Sequence, residues 1–303
     1  MTRVIVTTTI NPPTKAVRLF DSMPGWNLVV VGDLKTPGDY RLEAGRYIGP
    51  EEQEQIDKEL SDLIGWNCIQ RRNFGFLVAH DMGAEVVAVV DDDNVPCDGW
   101  GTELLVDRDV EANVFTTGLP AFDPVGATNY PHLWHRGYPL QLLSKRDYST
   151  SVREMIRPDV QADFWDGDPD VDAICRMQYD PQCRFDAAVF PMAAGVMSPF
   201  NSQNTFLAGR WLRDYFLFPH VGRMDDIWAG YHLQAQGARV VFGKPSVVQE
   251  RNVHDPVVDM RQEYLGYENN LAIVEALAED ADALVRFLPR QTREAFDRYR
   301  SRF

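Results

Sequence analysis

Apolar and polar positions fall into alternating blocks over the first 95 or so residues of this chain. Three apolar runs are short, continuous and rich in β-branched residues: Val4-Ile5-Val6, residues 26–31, and Val86-Val87-Ala88-Val89-Val90. Such runs mark strands buried on both faces, as in a parallel sheet. Tyr47-Ile48-Gly49 reads as a further short strand. Between them the apolar spacing becomes helical. Ala16, Val17, Leu19 and Phe20 predict a helix over residues 14–22, and Pro50 opens an acidic helix over 51–63. Phe74, Leu77 and Val78 predict another over 73–82, which Gly83 can end. Strands alternating with helices predict an α/β fold with a parallel sheet. Right-handed crossovers then bring residues 8–11, 33–36 and 91–93 to one sheet edge, the edge where open α/β folds bind ligands.

The pattern is weaker afterwards. Residues 98–185 are loop-rich and carry Phe115, Phe122, Tyr130, Trp134, Tyr138, Phe164 and Trp165, a composition suited to binding surface or lids. Residues 159–172 read as an acidic exposed loop or helix start, 188–200 as a strand pair around Gly195, and 205–216 as a helix. A firmer helix covers 226–236, a strand covers 239–242, and 264–299 is mostly helical. The arginines at 286, 290, 293, 298, 300 and 302 read as a solvated helix face. With no repeat and no low-complexity linker, the expectation is one domain over 1–303. Its parts are a nucleotide-binding half (1–97), an acceptor and sugar half (98–270) and a helical extension (271–303).

Charge and cysteine usage narrow the partners. The formal net charge is −15, from 30 basic and 45 acidic side chains. Such a surface repels duplex nucleic acid and anionic membrane. No apolar run reaches the length of a membrane span, and Met1-Thr2-Arg3 leads straight into a strand with no signal-peptide pattern; a cytoplasmic location is the expectation. Cys68, Cys97, Cys175 and Cys183 form no CxxC pair, which argues against a zinc site or a disulfide framework.

The candidate chemistry gathers at the ends of the early strands. Asp91-Asp92-Asp93 follows the 86–90 run. Three adjacent carboxylates need a counter-charge, and a hard divalent cation, Mg²⁺ or Mn²⁺, suits oxygen ligands. Asp91 and Asp93 are the candidate metal ligands, with His254 as a further one and Glu250 as its rival. Thr8, Asn11, Asp33, Lys35 and Asp92 lie on the same loops and are candidate ligand contacts. Arg71, Arg72 and Asn73 precede a helix, where guanidiniums and the helix N-terminus can both grip phosphate. Asp225 and Asp226 open the 226–236 helix and are candidates for base, nucleophile or sugar-hydroxyl acceptor. Arg136, in Arg136-Gly137-Tyr138-Pro139, sits where a glycine permits close approach of a ligand.

Several of these segments resemble one family of enzymes. Gly25-Trp26, residues 31–37, Arg72-Asn73-Phe74-Gly75-Phe76-Leu77, the aspartate run, His135-Arg136-Gly137-Tyr138-Pro139-Leu140 and residues 199–205 are similar in order and spacing to the STELLO-type glycosyltransferases. Residues 136–139, Phe190-Pro191-Met192 and residues 223–230 also resemble the reversibly glycosylated polypeptides, the plant UDP-arabinopyranose mutases. Together the likeness runs from about Val4 to about Tyr267. It implies a GT-A-like nucleotide-sugar fold with a mostly parallel central sheet flanked by helices. It implies a UDP-sugar donor whose diphosphate is held through Mn²⁺ or Mg²⁺ at the aspartate run. It also implies, for the mutases, that Arg136 is the glycosylated residue. The chain has Ala193-Ala194-Gly195-Val196 where the mutases have Cys-Gly-Met-Asn, which favours glycosyl transfer over mutase chemistry. A nucleotide-sugar-binding protein without catalysis is the third reading. Acceptor and sugar are not specified, and a homo-oligomer is left open.

Overall fold

The computed structural model describes residues 1–249 and 255–303. A single mixed sheet runs through the molecule. Its strands are β1 (Arg3–Thr8), β2 (Asn27–Val31), β3 (Arg46–Ile48), β4 (Val86–Val90), β5 (Asn94–Pro96), β6 (Val110–Phe115), β7 (Ser151–Ile156), β8 (Val160–Gly167), β9 (Met192–Ala194), β10 (Asn204–Ala208) and β11 (Val240–Gln249). The order is β3-β2-β1-β4-β10-β8-β11-β9-β6-β7, with β5 paired to β11. Strands β1 to β4, β7, β8 and β11 run one way; β5, β6, β9 and β10 run the other. The helices are α1 (Lys15–Asp21), α2 (Pro50–Ile64), α3 (Arg72–Asp81), α4 (Ala173–Tyr179), α5 (Asp225–Ala235), α6 (Pro256–Glu279) and α7 (Arg290–Arg300). This is the α/β class, with a mostly parallel central sheet flanked by helices, that the alternating pattern predicts.

The first half matches the apolar pattern closely because each element is decided locally. β1 and β4 carry the runs that bury on both faces: Val4, Ile5, Val6 and all five residues of β4 are essentially inaccessible. α3 lies against β1 and β2 at a glycine. A Cβ on Gly75 would sit 2.4 Å from Val6 Cγ1 and 3.0 Å from Val31 Cγ2, so no side chain fits without displacing the helix. Gly83, with φ of +69°, stops that helix as expected.

The second half departs from the pattern in three places. Residues 205–216 are not a helix. Their first part is β10, fully buried and paired antiparallel with both β4 and β8; a short apolar run fits either state, and two waiting strand edges decide it. The acidic 159–172 stretch contains β8, whose aspartates are internal partners of neighbouring groups. Residues 188–200 hold only the short β9, with no hairpin at Gly195. Three of the six C-terminal arginines pair with distant parts of the fold, while Arg286 and Arg290 keep exposed local pairs. Arg298 and Arg302 reach Asp57 on α2, and Arg300 reaches Asp214. Among the described residues no helix is long and apolar enough to cross a membrane.

The close approach of α3 has a measurable consequence. Gly75→Ala should lower stability by about 1–3 kcal/mol through overpacking, partly offset by the roughly 1 kcal/mol of helix propensity that alanine adds. A urea titration should show a lower midpoint with an unchanged slope; an unchanged or higher midpoint would mean that α3 can retreat from β1 at no cost.

Candidate functional site

The loops after β1, β2 and β4 meet at one edge of the sheet and are stitched together by short polar contacts. Asp92 Oδ2 accepts from Thr9 Oγ1 at 2.5 Å and from Asn11 Nδ2 at 3.2 Å. Thr36 Oγ1 donates to the Thr9 carbonyl at 2.7 Å. Two cavities open at this edge. The smaller, about 360 Å³, is lined by residues 8–11, Asp33, residues 67–69 and the aspartate run; the larger, about 550 Å³, by Arg136, Asp170, Gln203, Asp225, Asp226 and Gln249 among others. Both volumes fall in the ordinary range for ligand sites. Asp91, Asp93 and residues 67–69 line both cavities and form the partition between them.

Arg72 fixes Asp91. Buried to 1 % exposure, its guanidinium donates to Asp91 Oδ1 at 2.7 Å, to Thr8 Oγ1 at 3.1 Å and to the Ser202 carbonyl at 2.8 Å. Burial pushes the Asp91 carboxyl up, and the Arg72 charge opposes that shift. Asp91 Oδ2 takes no hydrogen bond among the described residues and stands at the partition.

Other expected phosphate or ribose contacts have different work. Arg71 is fully buried and serves α2. It donates to Gln53 Oε1, to Ser61 Oγ and to the Ser61 and Gly65 carbonyls, which neutralises the negative end of that helix, and it stacks 3.6 Å from the Trp66 ring centre. Asn73 exchanges two 2.9 Å hydrogen bonds with the Leu217 backbone. Arg71 still contributes to the wall of the smaller cavity, whereas Asn73 lines neither cavity. Asp33 lines the smaller cavity, but its carboxylate already accepts from the backbone N–H groups of Leu34, Asn67 and Cys68. It shapes the cavity wall from behind. Lys35 is exposed and lines neither cavity. Thr8 and Asn11 do line the smaller one.

In the larger cavity the centre is Arg136. It is held by a glycine: Gly137 has φ of +89°, and a Cβ there would lie 2.3 Å from Ile227 Cγ2 on α5. The guanidinium grips two carboxylates at once. Nε and Nη2 reach Asp170 at 2.8 and 2.9 Å, and Nη1 and Nη2 reach Asp226 at 3.0 and 3.1 Å; Nη1 also donates to the Arg223 carbonyl. The Arg136 charge holds the Asp170 carboxyl far below its ordinary range against the opposing effect of burial. The N–H groups of Arg136 are thus taken up by Asp170, Asp226 and the Arg223 carbonyl. Asp226 is also fully engaged, since Oδ2 accepts from Ser202 N at 2.9 Å as well. Asp225 differs. Among the described residues its one side-chain donor is Gln70 Nε2 at 2.8 Å, and burial together with neighbouring Asp226 pushes its pKa up to about 7.

The sequence reading missed Asp170, Gln70, Asn201, Gln203 and Gln249. Gln70, Asp170 and Gln249 are single polar residues with no motif spacing to mark them, and Asp170 lies in an acidic stretch that reads as solvent-facing. Asn201 and Gln203 have a signal in the 199–205 segment that carries the family resemblance.

The residues at the partition fit a divalent cation. Mg²⁺ and Mn²⁺ are commonly held by one or two carboxylates plus ligand phosphates and water, and Asp91 offers an open carboxylate oxygen beside Asp93 at the meeting of two cavities. Among the described residues no set of three His, Cys, Asp or Glu side chains forms a complete metal cage, so the cation would need ligand oxygens. His254 and Glu250 lie outside the described residues.

No protein-family profile matches the chain. Two curated Arabidopsis thaliana proteins are similar. One named "Probable glycosyltransferase STELLO2" is 23% identical over 220 residues, 66% of this chain and 29% of that protein. One named "Probable glycosyltransferase STELLO1" is 23% identical over 247 residues, 75% of this chain and 32% of that protein. The chain thus spans about a third of the length of these relatives. Among solved structures, the Mycobacterium tuberculosis glucosyl-3-phosphoglycerate synthase with Mg²⁺ and UDP overlaps at a TM-score of 0.46 with 13% identity, over 89% of this chain and 79% of the other. The same enzyme with phosphoglyceric acid gives 0.41 and 11%, over 89% and 80%. At that overlap the likeness is one of general outline only.

The double ion pair should dominate the stability of this site. Arg136→Leu strands Asp170 and Asp226 without a counter-charge and should cost about 3–5 kcal/mol, read by chemical denaturation. Adding Asp170→Asn and Asp226→Asn to it should recover part of that loss. A loss under about 1 kcal/mol would show that the carboxylates are hydrated.

Proposed function

We propose that this chain is a metal-dependent glycosyltransferase of the GT-A-like type that uses a nucleotide sugar, with UDP as the nucleotide. One observation carries the reading: the Asp91 and Asp93 carboxylates stand at the join of two ligand-sized cavities. A nucleotide sugar needs that arrangement, with a nucleoside on one side, a sugar on the other and a diphosphate between. Similarity to the two STELLO proteins supports it.

In this reading the nucleoside occupies the smaller cavity against residues 8–11 and 67–69, and the sugar enters the larger one. Asp91 and Asp93 hold the cation, which when bound supplies positive charge to the departing diphosphate. Arg72 aims Asp91 through their ion pair. Arg136 keeps Asp170 ionised and holds both Asp170 and Asp226 in place, so these two are positioning groups. Asp225 is the base. An acceptor hydroxyl oxygen bonds to the anomeric carbon, the bond from that carbon to the diphosphate oxygen breaks, and the hydroxyl proton passes to an Asp225 oxygen. A pKa near 7 suits a group that must both take and release a proton at neutral pH. The mutase alternative is disfavoured because the Arg136 guanidinium is spent on two carboxylates.

Two experiments test this. Asp91→Ala with Asp93→Ala should reduce UDP affinity in Mn²⁺ to the level seen with EDTA, measured calorimetrically; undiminished Mn²⁺-dependent binding removes the metal assignment. For the base, the rate should rise as pH passes upward through about 7, because the raised pKa leaves Asp225 protonated and inactive below it. Asp225→Asn should lower kcat by roughly 10²-fold or more, within the range general-base catalysis contributes, with little change in donor KM. A pH limb that survives in Asp225→Asn assigns the base elsewhere.

A further inference from the structure

The larger cavity has a built-in polarity that starts at Arg136. Its charge keeps Asp170 ionised, and an ionised carboxylate can only accept hydrogen bonds. Asn201 must therefore present its amide nitrogen to Asp170, and Nδ2 does so at 2.8 Å. The same Nδ2 donates to Gln203 Oε1 at 2.8 Å, while Asn201 Oδ1 accepts from the Gln203 backbone N–H at 3.2 Å. With its oxygen thus occupied, Gln203 can offer only its nitrogen onward, and Nε2 donates to Gln249 Oε1. Each orientation is forced by the one before it. The last member, Gln249, ends β11 in the cavity wall at 8 % exposure, and its Nε2 has no acceptor among the described residues. The relay leaves one amide NH₂ presented to whatever fills the cavity.

The charge of that cavity restricts the occupant. Asp91, Asp93, Asp170, Asp225 and Asp226 line it. Of the two arginines in its described wall, Arg136 is divided between Asp170 and Asp226, and Arg223 is paired with Glu263 at 2.9 Å and with Asp259. With a cation taken up by Asp91 and Asp93, the sugar end still sets Asp170, Asp225 and Asp226 against the one guanidinium of Arg136, so an anionic group there would meet like charge in a partly dry site, where such repulsion is strong.

We propose that the cavity takes an uncharged, hydroxyl-rich donor sugar and that the Gln249 amide is the specificity residue that donates to one of its hydroxyl oxygens. The proposal rests on the reading of this edge as a nucleotide-sugar site. It names the sugar class, neutral hexoses or pentoses over uronic acids.

Calorimetry in Mn²⁺ with UDP, UDP-glucose and UDP-glucuronic acid tests it. UDP-glucose should bind at least as tightly as UDP, and UDP-glucuronic acid at least about tenfold more weakly than UDP-glucose, a conservative figure for one like-charge contact. In Gln249→Ala the affinity for UDP-glucose should fall about fivefold, the usual size of one hydrogen bond, and the gap between UDP-glucose and UDP should close. Equal or tighter binding of the uronic acid overturns the charge selection without any variant. Loss of UDP and UDP-glucose affinity in equal measure in Gln249→Ala overturns its role as sugar reader. If UDP itself fails to bind in Mn²⁺, the nucleotide-sugar reading falls and this inference with it, an outcome distinct from the other two.

Discussion

The site is organised around a shortage of positive charge. Asp91, Asp170, Asp225 and Asp226 converge between the two halves of the sheet, and two buried guanidiniums serve them. Arg72 takes Asp91; Arg136 takes Asp170 and Asp226 together. Among the described residues Asp225 is the one left with an amide donor instead of a cation. That inequality separates two adjacent carboxylates into one clamped by a guanidinium and one whose pKa is pushed up to about 7. It arises because Asp226, one residue further along the first turn of α5, faces Ser202 and Arg136, while Asp225 faces Gln70. Neighbouring residues on a helix point about 100° apart, so one arginine cannot grip both.

The N-terminal half was legible because its elements answer to local rules. Apolar runs, a proline opening α2 and a glycine closing α3 locate every strand and helix up to β4 within a residue or two, and β1 and β4 to the residue. The loops of that half meet at one edge as the crossover rule requires. The other half was less legible because its strands depend on partners distant in sequence. β10 fits a helix or a strand until β4 and β8 are in place, and β8 looks acidic and exposed until its aspartates meet Gln161 and Ser246.

Within the site the same division holds. The aspartate run announces itself by position. The roles of Arg71, Asn73 and Arg136 do not, since a guanidinium or amide near a helix start suits phosphate and carbonyl alike. Only the three-dimensional arrangement shows that Arg71 serves the end of α2, Asn73 the Leu217 backbone and Arg136 two carboxylates. The amide relay from Asn201 to Gln249 is invisible in sequence for a related reason. Its meaning lies in the direction of its hydrogen bonds, which the ion pair between Asp170 and Arg136, 34 residues apart along the chain, sets.

The placement of β10 bears on how this fold can be recombined. β10 lies between β4 and β8, so the edge of β4 in the middle of the sheet is covered by residues more than a hundred positions downstream. A fragment ending shortly after the aspartates would leave the five-residue valine-rich β4 with one row of backbone groups unpaired. Such an edge recruits other chains and aggregates. Chimeras that graft a foreign nucleotide half would have to carry β10 along with it, together with Gln203 just before that strand, whose carbonyl accepts from the Asp91 N–H. The natural crossover points lie outside the pair, and not at the apparent boundary near residue 97.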